Sequence, residues 1–143
     1  MASKEKGKAF RRGEAVEVAS AEDGFVGSYY EATVVTDFPG GDYIVRYESL
    51  VTDDLSGPLR EVVSAAEVRP RPPRVTAADP FRLNDVVDAY DNDGWWVGKI
   101  TGRAPNGHYY VFFDSTGDLI AYPKARLRIH LEWVTGNWIC FSR

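Results

Sequence analysis

Cysteine is nearly absent. Cys140 is the only one in 143 residues, so no internal disulfide can form and the chain reads as intracellular and reduced. Long apolar runs are missing too, the longest being a few residues against the roughly 20 that a bilayer-spanning helix needs. The start, MASKEKGKAFRR, is basic with no apolar stretch behind it, and reads as lacking a secretory leader. Histidine is scarce: His108, His130 and Cys140 are the only N/S ligands, without the paired spacing of a zinc site. No phosphate-cradling loop, dinucleotide fingerprint or nucleophile elbow occurs. The expectation is a non-enzymatic protein with no cofactor and no metal.

The composition that remains is globular, 44% hydrophobic, 27% charged and 13% aromatic. The net charge of −4 hides a strong asymmetry. Residues 1–12 carry +4, residues 13–68 carry −10 with only Arg46 and Arg60 as bases, residues 69–80 carry +2, and 81–143 balance. A block this negative repels phosphate backbones and attracts cationic partners, which argues against a nucleic-acid groove in the first half.

The chain is two copies of one unit. GEAVEVASAEDGFVGSYYEATVV from Gly13 resembles NDVVDAYDNDGWWVGKI from Asn84, with Val16 matching Val86 and Tyr29-Tyr30 matching Trp95-Trp96. GDYIVRYES from Gly41 matches GHYYVFFDS from Gly107, so that Val45 falls on Val111, Tyr47 on Phe113 and Glu48 on Asp114. Glu67–Pro70 then resembles Arg126–Ile129. The alternating Val, Tyr, Phe and Trp pattern, cut by Gly, Asn, Asp and Pro, predicts strands near 14–19, 28–36, 42–48, 59–63 and 66–69. In the second copy they fall near 85–90, 95–103, 108–114, 118–122 and 126–131. Pro39-Gly40-Gly41-Asp42 and Pro105-Asn106-Gly107 read as hairpin turns. The predicted fold is all-β, two small five-stranded barrels packed in tandem. Residues 10–70 form the first domain, 71–80 a Pro/Arg-rich connector and 81–143 the second. The aromatic ending, Leu131 to Ile139, has no repeat partner and is expected to fold back on the second barrel or the junction. The stop at Phe141-Ser142-Arg143 reads as a cut within a longer, multi-repeat chain.

Aromatic and acidic residues cluster around one loop, Tyr90-Asp91-Asn92-Asp93-Gly94-Trp95-Trp96. Side chains alternate along a strand, so one tryptophan packs inward and the other lines the barrel mouth, and Phe112 and Phe113 divide likewise. This places Tyr90, Trp96 and Phe113 at the mouth, with Asp114 just beyond and Trp95, Phe112, Asp91 and Asp93 at its rim. Three aromatic faces and a carboxylate suit a methylated ammonium, each ring contributing about 0.5–2 kcal/mol.

These motifs resemble the Agenet domains, a plant-enriched branch of the Tudor-like Royal family. Tyr29-Tyr30-Glu31-Ala32-Thr33-Val34, Trp95-Trp96-Val97-Gly98-Lys99-Ile100 and the ending Leu127–Trp138 carry the resemblance, which covers residues 10–140. It implies SH3-like barrels in a chromatin reader that binds the histone H3 tail methylated at lysine nine, dimethyl favoured, and acts in heterochromatin and transposon silencing in the nucleus. Carried over by position, the methyl-lysine cage is Tyr90, Trp96 and Phe113 with Asp114. The first unit has Ala19 or Ser20 where the second has Tyr90, leaving Tyr30 and Tyr47 as its cage candidates. Its charge suggests a grip on unmodified cations of the tail by Glu48, Asp53 and Asp54, joined by Asp118 of the second unit. No membrane partner and a monomeric state are expected. The alternative is an RNA- or DNA-binding module that stacks bases on aromatics and meets phosphates with Arg11, Arg12, Arg69, Arg71 and Arg74.

Overall fold

Period-two runs set the strands. In SYYEATVV, Ser28, Tyr30, Ala32 and Val34 are buried and the residues between them are not. The computed structural model describes residues 9–20, 22, 26–73 and 80–140. Arg74 and Asp79 of the expected connector, and the ending Phe141–Arg143, lie outside the described residues. The first unit holds β1 (Ala15–Ala19), β2 (Ser28–Phe38), β3 (Asp42–Val51), β4 (Pro58–Val63) and, after a 3-10 turn at Ala65–Glu67, β5 (Val68–Pro70). The second holds β6 (Val86–Asp91), β7 (Gly94–Arg103), β8 (Tyr109–Phe112), β9 (Leu119–Tyr122) and, after a 3-10 turn at Lys124–Arg126, β10 (Leu127–Ile129). The ending forms a hairpin of β11 (Glu132–Val134) and β12 (Asn137–Ile139).

Strand order in the first unit is β5-β1-β2-β3-β4 and in the second β10-β6-β7-β8-β9, with neighbours antiparallel. β4 does not pair with β5, nor β9 with β10, so each unit is a bent five-stranded sheet left open on one side. Each bend rests on a bulge at a matching place, between Val34 and Thr36 and between Ile100 and Gly102, where the extra residue sharpens the local twist. The expected hairpins form. Gly40 and Gly41 supply φ of +89° and +88° in the first, and Gly107 N–H donates to the Ala104 carbonyl in the second. Each unit has its own core, one around Val16, Val34 and Val45, the other around Val87, Ile100 and Val111.

Register corrects one detail of the repeat. Val16 lies opposite Pro70, and Val87, not Val86, lies opposite Ile129. The first strands therefore match one residue later than the sequence alignment has them, which makes Glu17 the counterpart of Asp88, Ala19 that of Tyr90 and Ser20 that of Asp91.

The two sheets are continuous, because β2 pairs with β7 through Ser28–Trp96 and Tyr29–Trp95. Beside this seam lies a buried ion network. The Glu17 carboxylate, fully buried, accepts from Arg69 Nε (3.1 Å) and Nη2 (2.8 Å) and from Arg128 Nη1 (2.8 Å) and Nη2 (3.0 Å). Arg128 Nε donates to Asp88 at 2.8 Å, the other Asp88 oxygen meets His130 Nδ1 at 2.7 Å, and His130 Nε2 contacts Glu132. Arg69 also donates to the Leu131 carbonyl at 2.7 Å, tying the ending to the first unit. Its guanidinium sits 3.6 Å from the Tyr29 ring centre and 5.1 Å from that of Trp138, and that of Arg128 sits 4.0 Å from Trp95. The ending thus lies over the junction, as its apolar character predicts.

Burial works to lower the His130 pKa, but the carboxylates of Asp88 and Glu132 outweigh it and hold the imidazole above its ordinary value. Protonated, it makes the three carboxylates and three cations balance.

Two predictions follow from this junction. Glu17→Ala leaves two buried guanidiniums without their shared carboxylate and is expected to cost about 3–5 kcal/mol, the usual penalty for removing one partner of a buried pair, read by urea unfolding. A group whose folded pKa is raised contributes fully below its unfolded value, about 6.5 for His, and loses that contribution as pH rises through the folded value. Unfolding free energy should therefore fall as pH rises from about 6, and His130→Gln should flatten that slope.

Candidate functional site

Each open sheet leaves a cleft beside its core, and the two clefts use the same positions for different chemistry. In the second unit Asp91, Asn92, Trp96, Phe113, Thr116, Asp118, Ile120 and Tyr122 line a narrow cleft of about 120 Å³. Phe113 and Tyr122 meet edge to face at 6.1 Å, and the Trp96 indole N–H donates to the Asp91 carbonyl at 2.8 Å. The Tyr122 hydroxyl donates to the Asp91 carboxylate at 2.6 Å, while the other carboxylate oxygen accepts from Asn92 N–H at 2.9 Å. Burial, and then this carboxylate, push the Tyr122 hydroxyl pKa up, so the phenol stays neutral and the wall keeps one shape. Three aromatic side chains and two carboxylates in a narrow cleft are groups that attract a soft cation.

In the first unit Ser20, Glu22, Tyr30, Tyr47, Glu61 and Glu67 stand among Val18, Leu50, Leu59, Val62 and Val63 around a wider cleft of about 520 Å³. Here Tyr30 stands for Trp96, Tyr47 for Phe113, Val63 for Tyr122 and Glu61 for Ile120. One aromatic wall is lost and a carboxylate is gained. Tyr30 and Tyr47 meet edge to face at 6.5 Å, and the Tyr47 hydroxyl donates to Glu61 at 2.6 Å. Glu67 is fixed by accepting the Ser64 N–H at 3.1 Å in a capping box. Three carboxylates and two tyrosines around a wide cleft suit hydrogen-bond donors better than they suit methyl groups.

Of the residues singled out from sequence, the structure brings Trp96, Phe113, Asp91 and Asp118 together in the second cleft and Tyr30 and Tyr47 in the first. Tyr90 does not line the second cleft. It faces Trp95 across the β6–β7 ladder, ring centres 5.1 Å apart, on the side of the sheet that meets the first unit, and its hydroxyl lies 3.4 Å from that of Ser49. Trp95 is buried there, donating to Glu31 at 3.1 Å. Phe112 points to the outer face of β8, Asp114 is exposed beyond its end, and Asp93 sits in the β6–β7 turn. Glu48 is engaged by Thr33 and Arg71 at 2.6 and 3.2 Å, and its pKa is lowered, the Thr33 hydrogen bond foremost. Asp53 and Asp54 lie in the β3–β4 loop, where hydrogen bonds from Thr52 and Ser56 hold the Asp54 carboxyl down at about 2.

The residues that sequence reasoning missed are Tyr122 in the second cleft and Glu22, Glu61 and Glu67 in the first. Extending the repeat through β4 and β9 would have matched Val63 with Tyr122 and Glu61 with Ile120. Two of the five arginines of the nucleic-acid reading are committed elsewhere. Arg69 is buried in the ion network, and Arg71 donates to the carbonyls of Val16 and Ala32 at 3.2 and 3.0 Å. Arg11 and Arg12 are exposed, and Arg74 lies outside the described residues.

Two bent five-stranded sheets in tandem, each with a cleft beside its core, define a tandem Tudor-like binding module. The Agenet domain profile matches residues 13–73. The chain resembles Arabidopsis thaliana AGENET DOMAIN (AGD)-CONTAINING P1, 38% identical over 92% of this chain and 26% of that protein. It also resembles Arabidopsis thaliana DUF724 domain-containing protein 3, 37% identical over 87% of this chain and 19% of the other. It thus spans about a fifth to a quarter of the length of these relatives. Among solved structures it superposes on Arabidopsis thaliana AGDP1 AGD34 with a TM-score of 0.87 and 33% identity, covering 92% of this chain and 90% of that one. It superposes on the ADCP1 tandem Agenet domain 3-4 with a TM-score of 0.82 and 30% identity, over 92% and 88%. The chain belongs to the Agenet family.

Gly98 has no room for a side chain. A Cβ there would lie 2.5 Å from Val111 Cγ1, 3.0 Å from the Phe112 carbonyl and 3.1 Å from Phe113 Cδ1. Gly98→Ala is therefore expected to destabilise by about 1–3 kcal/mol, the usual cost of overpacking, in thermal or urea melts that follow the strand signal. Its counterpart in the first unit, Ala32, already carries that methyl.

Proposed function

We propose that this protein is a non-enzymatic reader of the histone H3 tail methylated at lysine nine, with the dimethyl form favoured. The supporting observation is the second cleft, where Trp96, Phe113 and Tyr122 surround a cation-sized space beside Asp91. Aromatic faces attract a methylated ammonium through their quadrupoles, and a nearby carboxylate accepts the N–H that mono- and dimethyl-lysine retain and trimethyl-lysine lacks. Asp91 and Asp118, which both line the cleft, are the carboxylates assigned to that acceptance in this reading. The first cleft, with Glu22, Glu61 and Glu67, takes an unmodified cationic group of the same tail. Agenet domains are binding modules, and nuclear residence with a role in heterochromatin and silencing completes this reading.

Calorimetric titration with H3 peptides unmodified, mono-, di- and trimethylated at lysine nine tests it. Affinity is expected to rise with methylation and peak at two methyls. Trp96→Ala is expected to weaken the dimethyl peptide about 3- to 30-fold, the equivalent of one ring's contribution, with the strand signal in circular dichroism retained. Equal binding of all four peptides would remove the cage from the proposal, and no binding of any would remove histone H3.

A further inference from the structure

We infer that the two carboxylates of the second cleft have different tasks: Asp91 is a positioning residue that holds the aromatic walls, and Asp118 meets the cation and sets the preference between methylation states. This rests on the reading that the second cleft takes a methylated ammonium.

Asp91 is tied on three sides. Its backbone carbonyl accepts the Trp96 indole N–H at 2.8 Å, one carboxylate oxygen accepts the Tyr122 hydroxyl at 2.6 Å, and the other accepts the Asn92 N–H at 2.9 Å. Tyr122 in turn meets Phe113 edge to face, with ring centres 6.1 Å apart. The three aromatic sides of the cleft are therefore linked through one residue at the end of β6. A ring fixed before the ligand arrives need not be ordered by it, and the difference appears as affinity. A cation that drew the carboxylate away from Tyr122 would free the phenol that forms one wall.

Asp118 stands differently. It lines the same cleft from just ahead of β9. Its backbone is held, the N–H donating to the Thr116 hydroxyl at 3.2 Å and the carbonyl accepting from Phe113 N–H at 3.0 Å. Among the described residues nothing donates to its exposed carboxylate, which keeps its lone pairs for a ligand. Dimethyl-lysine has one N–H to give and trimethyl-lysine has none, so an unengaged acceptor on a fixed backbone separates the two.

The first unit shows the same grouping by what it lacks. Ser20 stands for Asp91, Tyr30 for Trp96 and Val63 for Tyr122, so the acceptor, the indole donor and the anchored phenol are missing together. Parts that act as one set are exchanged as one set. Leu59 stands for Asp118, and no charge occupies that position.

The test titrates the parent, Asp91→Asn, Tyr122→Phe, their double and Asp118→Asn with H3 peptides mono-, di- and trimethylated at lysine nine. Asp91→Asn and Tyr122→Phe are each expected to weaken every methylated peptide about 3- to 10-fold, the worth of one hydrogen bond, with the dimethyl-to-trimethyl ratio kept. The double should lose no more than the worse single, because both remove the same bond. Asp118→Asn is expected to lower that ratio about fivefold. In the free protein, hydrogen exchange of the Trp96 indole N–H should quicken in Asp91→Asn and Tyr122→Phe and stay unchanged in Asp118→Asn. Losses that multiply in the double, or indole exchange unmoved by Asp91→Asn, overturn the positioning role. A ratio that survives Asp118→Asn, or collapses in Asp91→Asn instead, overturns the role of Asp118. If no peptide binds, the histone reading fails by itself, and trimethylammonium and tetramethylammonium, which differ by one N–H, replace the peptides with the Trp96 indole signal as readout. The parent must then prefer trimethylammonium and Asp118→Asn must lose that preference; equal binding of the two by the parent, or no binding, overturns the inference.

Discussion

A single carboxylate organises the junction. Glu17 has no solvent contact, and four N–H groups from two arginines converge on its two oxygens. One arginine comes from the same unit and the other from 111 positions along the chain. An unpaired charge at this depth would cost several kcal/mol, so only relative placements of β1, β5 and β10 that satisfy all four contacts are open to the folded chain. Replacing such a network with apolar residues is often neutral or stabilising in other proteins. What it supplies here is a fixed register between two units whose small cores specify little about each other. The aromatic rings above the guanidiniums, Tyr29, Trp138 and Trp95, seal it from water and strengthen each ion pair in turn.

Duplication explains why two clefts exist, and divergence explains why they differ. The frame is common to both: the same strand order, the same bulge, the same pairing of an acid on the first strand with an arginine on the last, as Glu17–Arg69 and Asp88–Arg128. Against that frame, four exchanges change the chemistry. Tyr for Trp, Tyr for Phe, Val for Tyr and Glu for Ile turn an aromatic slot into an acidic basin. A tyrosine–carboxylate hydrogen bond of 2.6 Å survives in each but between different strands, Tyr47 to Glu61 in one and Tyr122 to Asp91 in the other. Fixing a phenol and a carboxylate together keeps both rigid before any ligand arrives.

Most of the frame was legible in the sequence because it is written in period-two burial and in Gly and Pro turns. Strand starts and ends fall within a few residues of expectation, and the Tyr29-Tyr30 to Trp95-Trp96 match holds in the ladder, where both pairs begin their long second strands. The misplacement of Tyr90 comes from the phase of alternation. Tyr90 shares a face with Asp88, not with Ala89 and Asp91, so it points at the first unit, and a one-residue slip in the repeat hid this. A strand read in the wrong phase exchanges its two faces. Tyr122 was missed because Leu119-Ile120-Ala121-Tyr122 carries no marker beyond its apolar character. The Glu17–Arg128 contact was invisible for a different reason. Nothing local in either segment reports a partner more than a hundred residues away, and the acids of residues 13–68 looked like a solvated surface when one of them, Glu17, is fully buried.

A rigid junction matters most if the ligand is flexible. A disordered tail loses conformational freedom when it binds, and that loss opposes every contact it makes. Two clefts held at a fixed separation offset part of it, because the first group captured raises the local concentration of the second. That gain disappears if the clefts can rotate apart, since the linker then samples positions in which only one site is engaged. Here the separation is set by strand pairing across β2 and β7 and by the charges beneath it, not by the Pro-rich connector. Arg71 at the start of the connector is itself clamped, donating to two carbonyls and to Glu48. On the proposed reading, the weak point of recognition is therefore neither cleft but the buried acid between them. Changes that spare every ligand-facing residue and loosen Glu17 would lower affinity by freeing the two halves.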